Sequence, residues 1–272
     1  MFNFAVFRKT CFDTLPMLLV AGASIILFSL FFEWAMINMG RDLLAFASKW
    51  PFLDQMFRMS FGIDISNGVS LNVLMAVCFT HLFVLILTCG VVIATTTRVT
   101  TGEIEKGTAD LLFTLPVTRT EVCLSTSAAW LLAIVVLSFC PLIGIAIGTL
   151  VLETDSTLQA SKFLAPSINF LAFNLAVAGI SALAASILNR RSFAISISVG
   201  VLMSSLLLNF LSPFLEWMQS INFLNLLNYF RPAETMRNGD WALQNILVLV
   251  AVFLVTWIAS MVIFHRKDIP TA

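Results

Sequence analysis

Charge is what this chain has least of: 11% of its 272 residues are Asp, Glu, Lys or Arg, where soluble domains carry about a quarter. With 59% hydrophobic residues, that shortage excludes an ordinary soluble domain and leaves an integral membrane protein. The formal net charge is zero, so no basic footprint points to nucleic acid. Tyrosine is nearly missing, with one Tyr against 25 Phe, a balance suited to hydrocarbon rather than to a solvated surface. Catalytic motifs are missing too. The five cysteines include no Cys-x-x-Cys pair, and the two histidines form no His-x-x-x-His or Glu-x-x-His spacing, so neither a redox motif nor a metal site is indicated. Gly-x-Ser-x-Gly is absent, and Glu33, Glu153 and Glu216 fall at the ends of apolar runs rather than inside them. An intramembrane enzyme therefore has little to stand on. There is no Gly-x-x-x-x-Gly-Lys-Ser/Thr loop, so the chain does not hydrolyse ATP by that route and needs no cofactor of its own.

What the sequence does have is long apolar runs. Residues 15–36, 71–95, 122–152, 163–188, 193–211 and 243–264 each meet or approach the roughly 20 apolar residues that cross a bilayer core. The fold class expected is an all-α integral membrane protein of six spans forming one transmembrane domain over 1–272. Residues 1–14, with Phe2, Phe4, Phe7 and Phe12 around Arg8 and Lys9, read as an interfacial helix ahead of the first span. A signal peptide is the competing reading, but the next run is of spanning length and has no clear cleavage site. Pro141, followed by Gly144 and Gly148, predicts a kink or a break in the third run. Residues 41–61 place Leu43, Phe46, Trp50, Leu53 and Phe57 on one stripe, as in a pair of short helices resting on the outer surface. Residues 212–241 are too apolar for a solvated loop and too interrupted for a span, which suits a re-entrant or interfacial helix pair.

Six spans put both termini on one side, and basic residues orient them. That side carries nine: Arg8, Lys9, Arg98, Lys106, Arg119, Arg190, Arg191, Arg266 and Lys267. The other carries six: Arg41, Lys49, Arg58, Lys162, Arg231 and Arg237, spread over longer loops. Both termini and the loop at 98–121 are therefore expected in the cytoplasm, with the protein in the cell's inner membrane.

That loop is the one charged interruption with internal order. It reads GEIEKGTADLLFTLPVTR from Gly102 to Arg119, and places Leu111, Leu112 and Leu115 at helical spacing before a stop at Pro116. Such a short amphipathic helix suits docking on another protein. Elsewhere, His81 lies inside the second run and is the candidate intramembrane polar residue. With Cys78, Thr80 and Thr88 alone on neighbouring turns, it reads as hydrogen-bonded packing or cavity lining rather than as a ligand. The Ser and Asn residues of the fourth and fifth runs read first as helix packing.

In this loop the chain resembles the permease subunits of type-2 ATP-binding cassette exporters. Glu103, Gly107, Thr108, Leu111, Leu112, Thr114, Pro116, Val117 and Arg119 match that family's loop between spans two and three in order and spacing. The resemblance implies that residues 103–115 form a coupling helix seated in a separate cytoplasmic ATPase, with Glu103 and Glu105 near its positive end, Gly107 allowing close approach and Thr108 capping the helix. It further implies two ATPase subunits holding ATP and Mg, a second permease copy or paralogue, surrounding membrane lipid, and outward transport of a substrate these residues do not identify. Two alternatives stand beside it. One is a relay of ATPase motion to an extracytoplasmic partner, with 41–61 as a docking surface; the other is a scaffold with no ATPase.

Overall fold

The computed structural model describes residues 2–47, 49–50, 69–98, 118–152, 158–212 and 214–267. All regular structure among them is helical. The long helices are α1 (Phe4–Ala47), α3 (Leu82–Thr97), α4 (Arg119–Val151), α5 (Leu164–Ile187), α6 (Arg191–Leu211) and α9 (Leu243–Arg266); α2 (Leu71–Ala76), α7 (Glu216–Ile221) and α8 (Pro232–Asn238) are short. With α2 and α3 taken as one crossing, six stretches among the described residues are long and apolar enough to span a membrane. They fall on the six apolar runs of the sequence.

The first crossing differs from expectation at both ends. Residues 4–14 are not a separate surface helix, because α1 runs unbroken for 44 residues through Pro16. Its start is fixed by Asn3, whose side-chain oxygen accepts from the amides of Ala5 and Val6 at 3.0 and 3.2 Å. Gly22 and Gly40 lie within α1 without ending it, and one proline removes only a single backbone bond. At 1.5 Å per residue α1 is about 66 Å long, roughly twice the hydrocarbon thickness. It also absorbs the first part of the 41–61 segment; residues 51–61 lie outside the described residues. Glu33, expected at a span end, is instead fully buried within α1.

The second crossing is broken where nothing in its composition announces a break. After α2 the chain tightens into a 3₁₀ turn at Val77–Thr80, extends at His81 (φ −62°, ψ 133°), and restarts as α3. Packing selects this geometry. Phe79 is fully buried against Phe163 and Phe170, at ring separations of 6.5 and 6.0 Å, and the Cys78 thiol meets the Ser29 hydroxyl at 3.5 Å. Conversely, α4 continues through Pro141 as one 33-residue helix, so the break expected there does not occur.

Helix α5 is the centre of the bundle, with 72% of its most apolar stretch buried, against 17% for α6 and for α9. It packs on α9 through small residues: a Cβ at Gly179 would sit 2.2 Å from the Thr256 hydroxyl, and Ser260 donates to the Ala182 carbonyl at 3.0 Å. On another face Phe170 and Phe173 stack on Phe230, with centroids 5.2 and 4.9 Å apart. Phe230 belongs to the segment between α7 and α8, where Leu226 and Leu227 are also buried, as is Ala233 in α8. The short helical pieces of 216–238 thus close one end of the bundle, as the interrupted composition of 212–241 suggests.

Candidate functional site

The other end, which holds Asn3 and Lys267, is a set of polar ties among helix ends, including the end of α3 and the start of α4. Arg98 closes α3 and reaches α1: Nη1 donates to the Asp13 carbonyl at 2.9 Å and Nη2 pairs with its carboxylate at 3.3 Å. Both side chains are about a third exposed, so the ion pair alone contributes at most about 1 kcal/mol. The carbonyl bond makes the contact directional.

Helix α4 begins in a capping box. Thr118 Oγ1 accepts from the Glu121 amide at 3.2 Å, while the Glu121 carboxylate accepts from the Thr118 amide at 2.9 Å. Two otherwise orphan donors are satisfied, and the loop's exit is held in one register. Arg119 then crosses to the end of α9, donating to the carbonyls of His265 and Lys267 at 3.4 and 2.5 Å. A cation on the last carbonyls of a helix also meets the negative end of its dipole.

Two further ties escaped the sequence reading, which counted Lys267 and Arg191 for orientation only. The Lys267 ammonium donates to the Leu188 carbonyl at the end of α5, 2.6 Å away, and its burial pulls its pKa below the usual lysine value. Arg191, at the start of α6, donates to the Ala94 carbonyl at 3.0 Å and to the Thr97 hydroxyl at 3.4 Å, both in the last turn of α3. The available signal was positional, since each cation lies at a helix end, in α6's first residue or just beyond the last of α9. Position does not say which neighbour a cation will reach.

Of the candidate site residues, Arg119 is placed at this end. Glu103, Glu105, Gly107, Thr108, Leu111, Leu112 and Pro116 lie outside the described residues. His81 is elsewhere, at the break of the second crossing. Its Nδ1 accepts from the Phe83 amide at 3.3 Å, capping α3, and its ring lies 4.6 Å from Phe28 and 6.1 Å from Phe32. No cluster of potential metal ligands occurs among the described residues.

A different surface joins α3 and α6. Leu82, Leu85, Ile86, Ile93, Val199 and Met203 line an almost wholly apolar groove of about 180 Å³. Gly90 lies in its wall with nothing within 4 Å of where a Cβ would be, and the same holds for Gly200 on the exposed face of α6. Neither glycine is required by packing within the chain.

Compared with known proteins, residues 9–269 match the family model described as ABC-2 family transporter protein. No curated protein matches the chain.

Proposed function

The chain belongs to the ABC-2 family of transporter proteins and is a multi-pass permease subunit of an ABC transporter, with its ATPase in a partner subunit; on that footing we propose that it is an exporter permease driven through residues 103–115. In this reading the loop is a coupling helix, ended by Pro116, that seats in a cleft of the cytoplasmic ATPase. Glu103 and Glu105 meet basic groups there, Gly107 allows close approach and Thr108 caps the helix. Two such ATPases bind ATP and Mg, and two permeases, identical or paralogous, alternate between inward- and outward-open packings. Both termini are cytoplasmic, the membrane is the inner one, and the substrate moves outward.

One observation carries the reading: the two ends of the loop are tied to the first and last crossings, Arg98 to Asp13 and Arg119 to the carbonyls of His265 and Lys267. A displacement of the loop is thereby delivered to α1 and α9 as well as to the helices it joins. The groove between α3 and α6, with Gly90 in its wall and Gly200 on the exposed face of α6, offers the wall that a second permease would complete.

The test is substitution in the loop. Glu103→Lys or Gly107→Trp should leave the protein inserted and the spans intact while abolishing ATPase stimulation in the purified complex. Wild-type stimulation and normal complex yield in both variants would rule the coupling assignment out. Solute flux into inverted vesicles separates export from a relay, which predicts ATPase stimulation by a soluble outer partner without flux.

A further inference from the structure

The side-chain ties at the loop end close on themselves. The Asn3 amide joins the start of α1 to α4 through the Ser125 hydroxyl at 2.8 Å. Arg119 joins α4 to α9, and Lys267 joins α9 to α5. The chain itself joins α5 to α6 through residues 188–190, and Arg191 joins α6 to α3. Arg98 returns from α3 to α1. Every crossing lies on this circuit, and its side-chain links join residues between 79 and 148 positions apart.

Lys267 has a particular place in it. Its main-chain carbonyl receives Arg119 while its ammonium grips Leu188, so one residue is a connector with two ends. The loop 99–117 meets the circuit at Arg98 and at Arg119, on either side, and is attached to neither α5 nor α9 by the chain. Yet α5 is the most buried crossing, in contact with α3, α4, α6, α8 and α9, and any rearrangement of the bundle must move it. The bonds of Arg119 to Lys267 and of Lys267 to Leu188 are part-buried and charge-assisted, so they hold distance as well as direction.

We propose that this circuit makes the loop ends of the six crossings one rigid body, and that Lys267 is the positioning residue that carries a displacement of Arg119 to α5. The inference rests on the coupling reading only for where the force enters; the rigidity belongs to the chain itself. It predicts action at a distance, since disturbing the bonds of Arg119 at the end of α9 should also loosen the end of α5.

Hydrogen exchange on the full chain in lipid nanodiscs tests this. Lys267→Met should speed amide exchange at residues 186–190 roughly tenfold, as loss of a charged hydrogen bond at a helix end does. Arg119→Gln should do the same to within a few-fold, and Lys267→Arg should restore near wild-type rates. Exchange at 226–238, at the opposite end, reports whether each variant is folded. Should Arg119→Gln unfold the chain, Arg119→Met, which keeps an apolar stem and removes every donor, replaces it and faces the same outcomes. Faster exchange confined to 265–267 in the Arg119 variant, with 186–190 at the wild-type rate, overturns the proposal, as does a Lys267→Arg chain no better protected than Lys267→Met. Co-purification of an ATPase, measured on the same preparations, tests the coupling reading separately; its absence would remove the source of force and leave the exchange result standing.

Discussion

Two glycines fix how closely α1 and α4 approach. A Cβ at Gly148 would lie 1.9 Å from a carboxylate oxygen of Glu33, and one at Gly144 would lie 2.8 Å from the Ile26 carbonyl. Both positions follow Pro141, where the glycines suggested a weak point in a helix; they are instead the places where another helix comes in. Glu33 was misplaced for a related reason. A carboxylate ends an apolar run on hydropathy, but α1 continues for fourteen residues beyond it, to Ala47, and packing encloses it. The two kinds of glycine then separate by experiment. Ala is the better helix former by about 1 kcal/mol, so Gly90→Ala, with open space around the new methyl, should leave the unfolding temperature unchanged or raise it. Gly148→Ala should lower it by several degrees, because overpacking at a close helix crossing costs roughly 1–3 kcal/mol. Thermal unfolding of the two variants in one detergent decides this; equal temperatures would mean that the α1–α4 seam yields freely.

Among the elements, the six crossings were legible because hydrocarbon imposes length and polarity on any helix that spans it. Their ends were legible to within a few residues, except where α1 extends past its apolar core. The break in the second crossing was not. Residues 77–81 read Val-Cys-Phe-Thr-His, with neither proline nor glycine, and the 3₁₀ turn is set by partners distant in sequence: Ser29, Phe163 and Phe170. A linear pattern carries no such information. The ties of Arg191 and Lys267 were hidden for the same reason, while Thr118 and Glu121 form a local capping signal that the chain displays three residues apart. At the break, His81 serves α3 as an N-cap. His81→Ala should therefore cost about 1 kcal/mol of stability, the usual loss of a capping side chain, and leave transport intact. Abolished transport in a variant of near wild-type stability would give His81 a direct part in the pathway instead.

For the molecule as a whole, the proposed pairing of permeases raises the question of which exposed face would meet the second one. Exposure alone does not decide it, since α6 and α9 have the same small buried share, 17% each, and lipid covers an apolar face as well as protein does. The chemistry of the two faces differs. On α9 the exposed side chains include Leu243, Leu247, Leu254, Val255, Ile258 and Val262, all large and apolar, as acyl chains require. On α6, Ser196, Gly200 and Ser204 form an exposed row spaced four residues apart, beside the groove shared with α3. Small residues in such a row let a second helix approach closely, and serine hydroxyls gain nothing from facing hydrocarbon. The α6 face is accordingly the one to build a permease pair on, with α9 toward lipid. Gly200→Trp should then cut the dimer fraction of the detergent-purified complex at least tenfold, corresponding to about 1.4 kcal/mol or more, while Ile258→Trp leaves it unchanged. Native mass spectrometry and cross-linking in membranes read both fractions, and a dimer lost with Ile258→Trp but kept with Gly200→Trp would move the interface to α9.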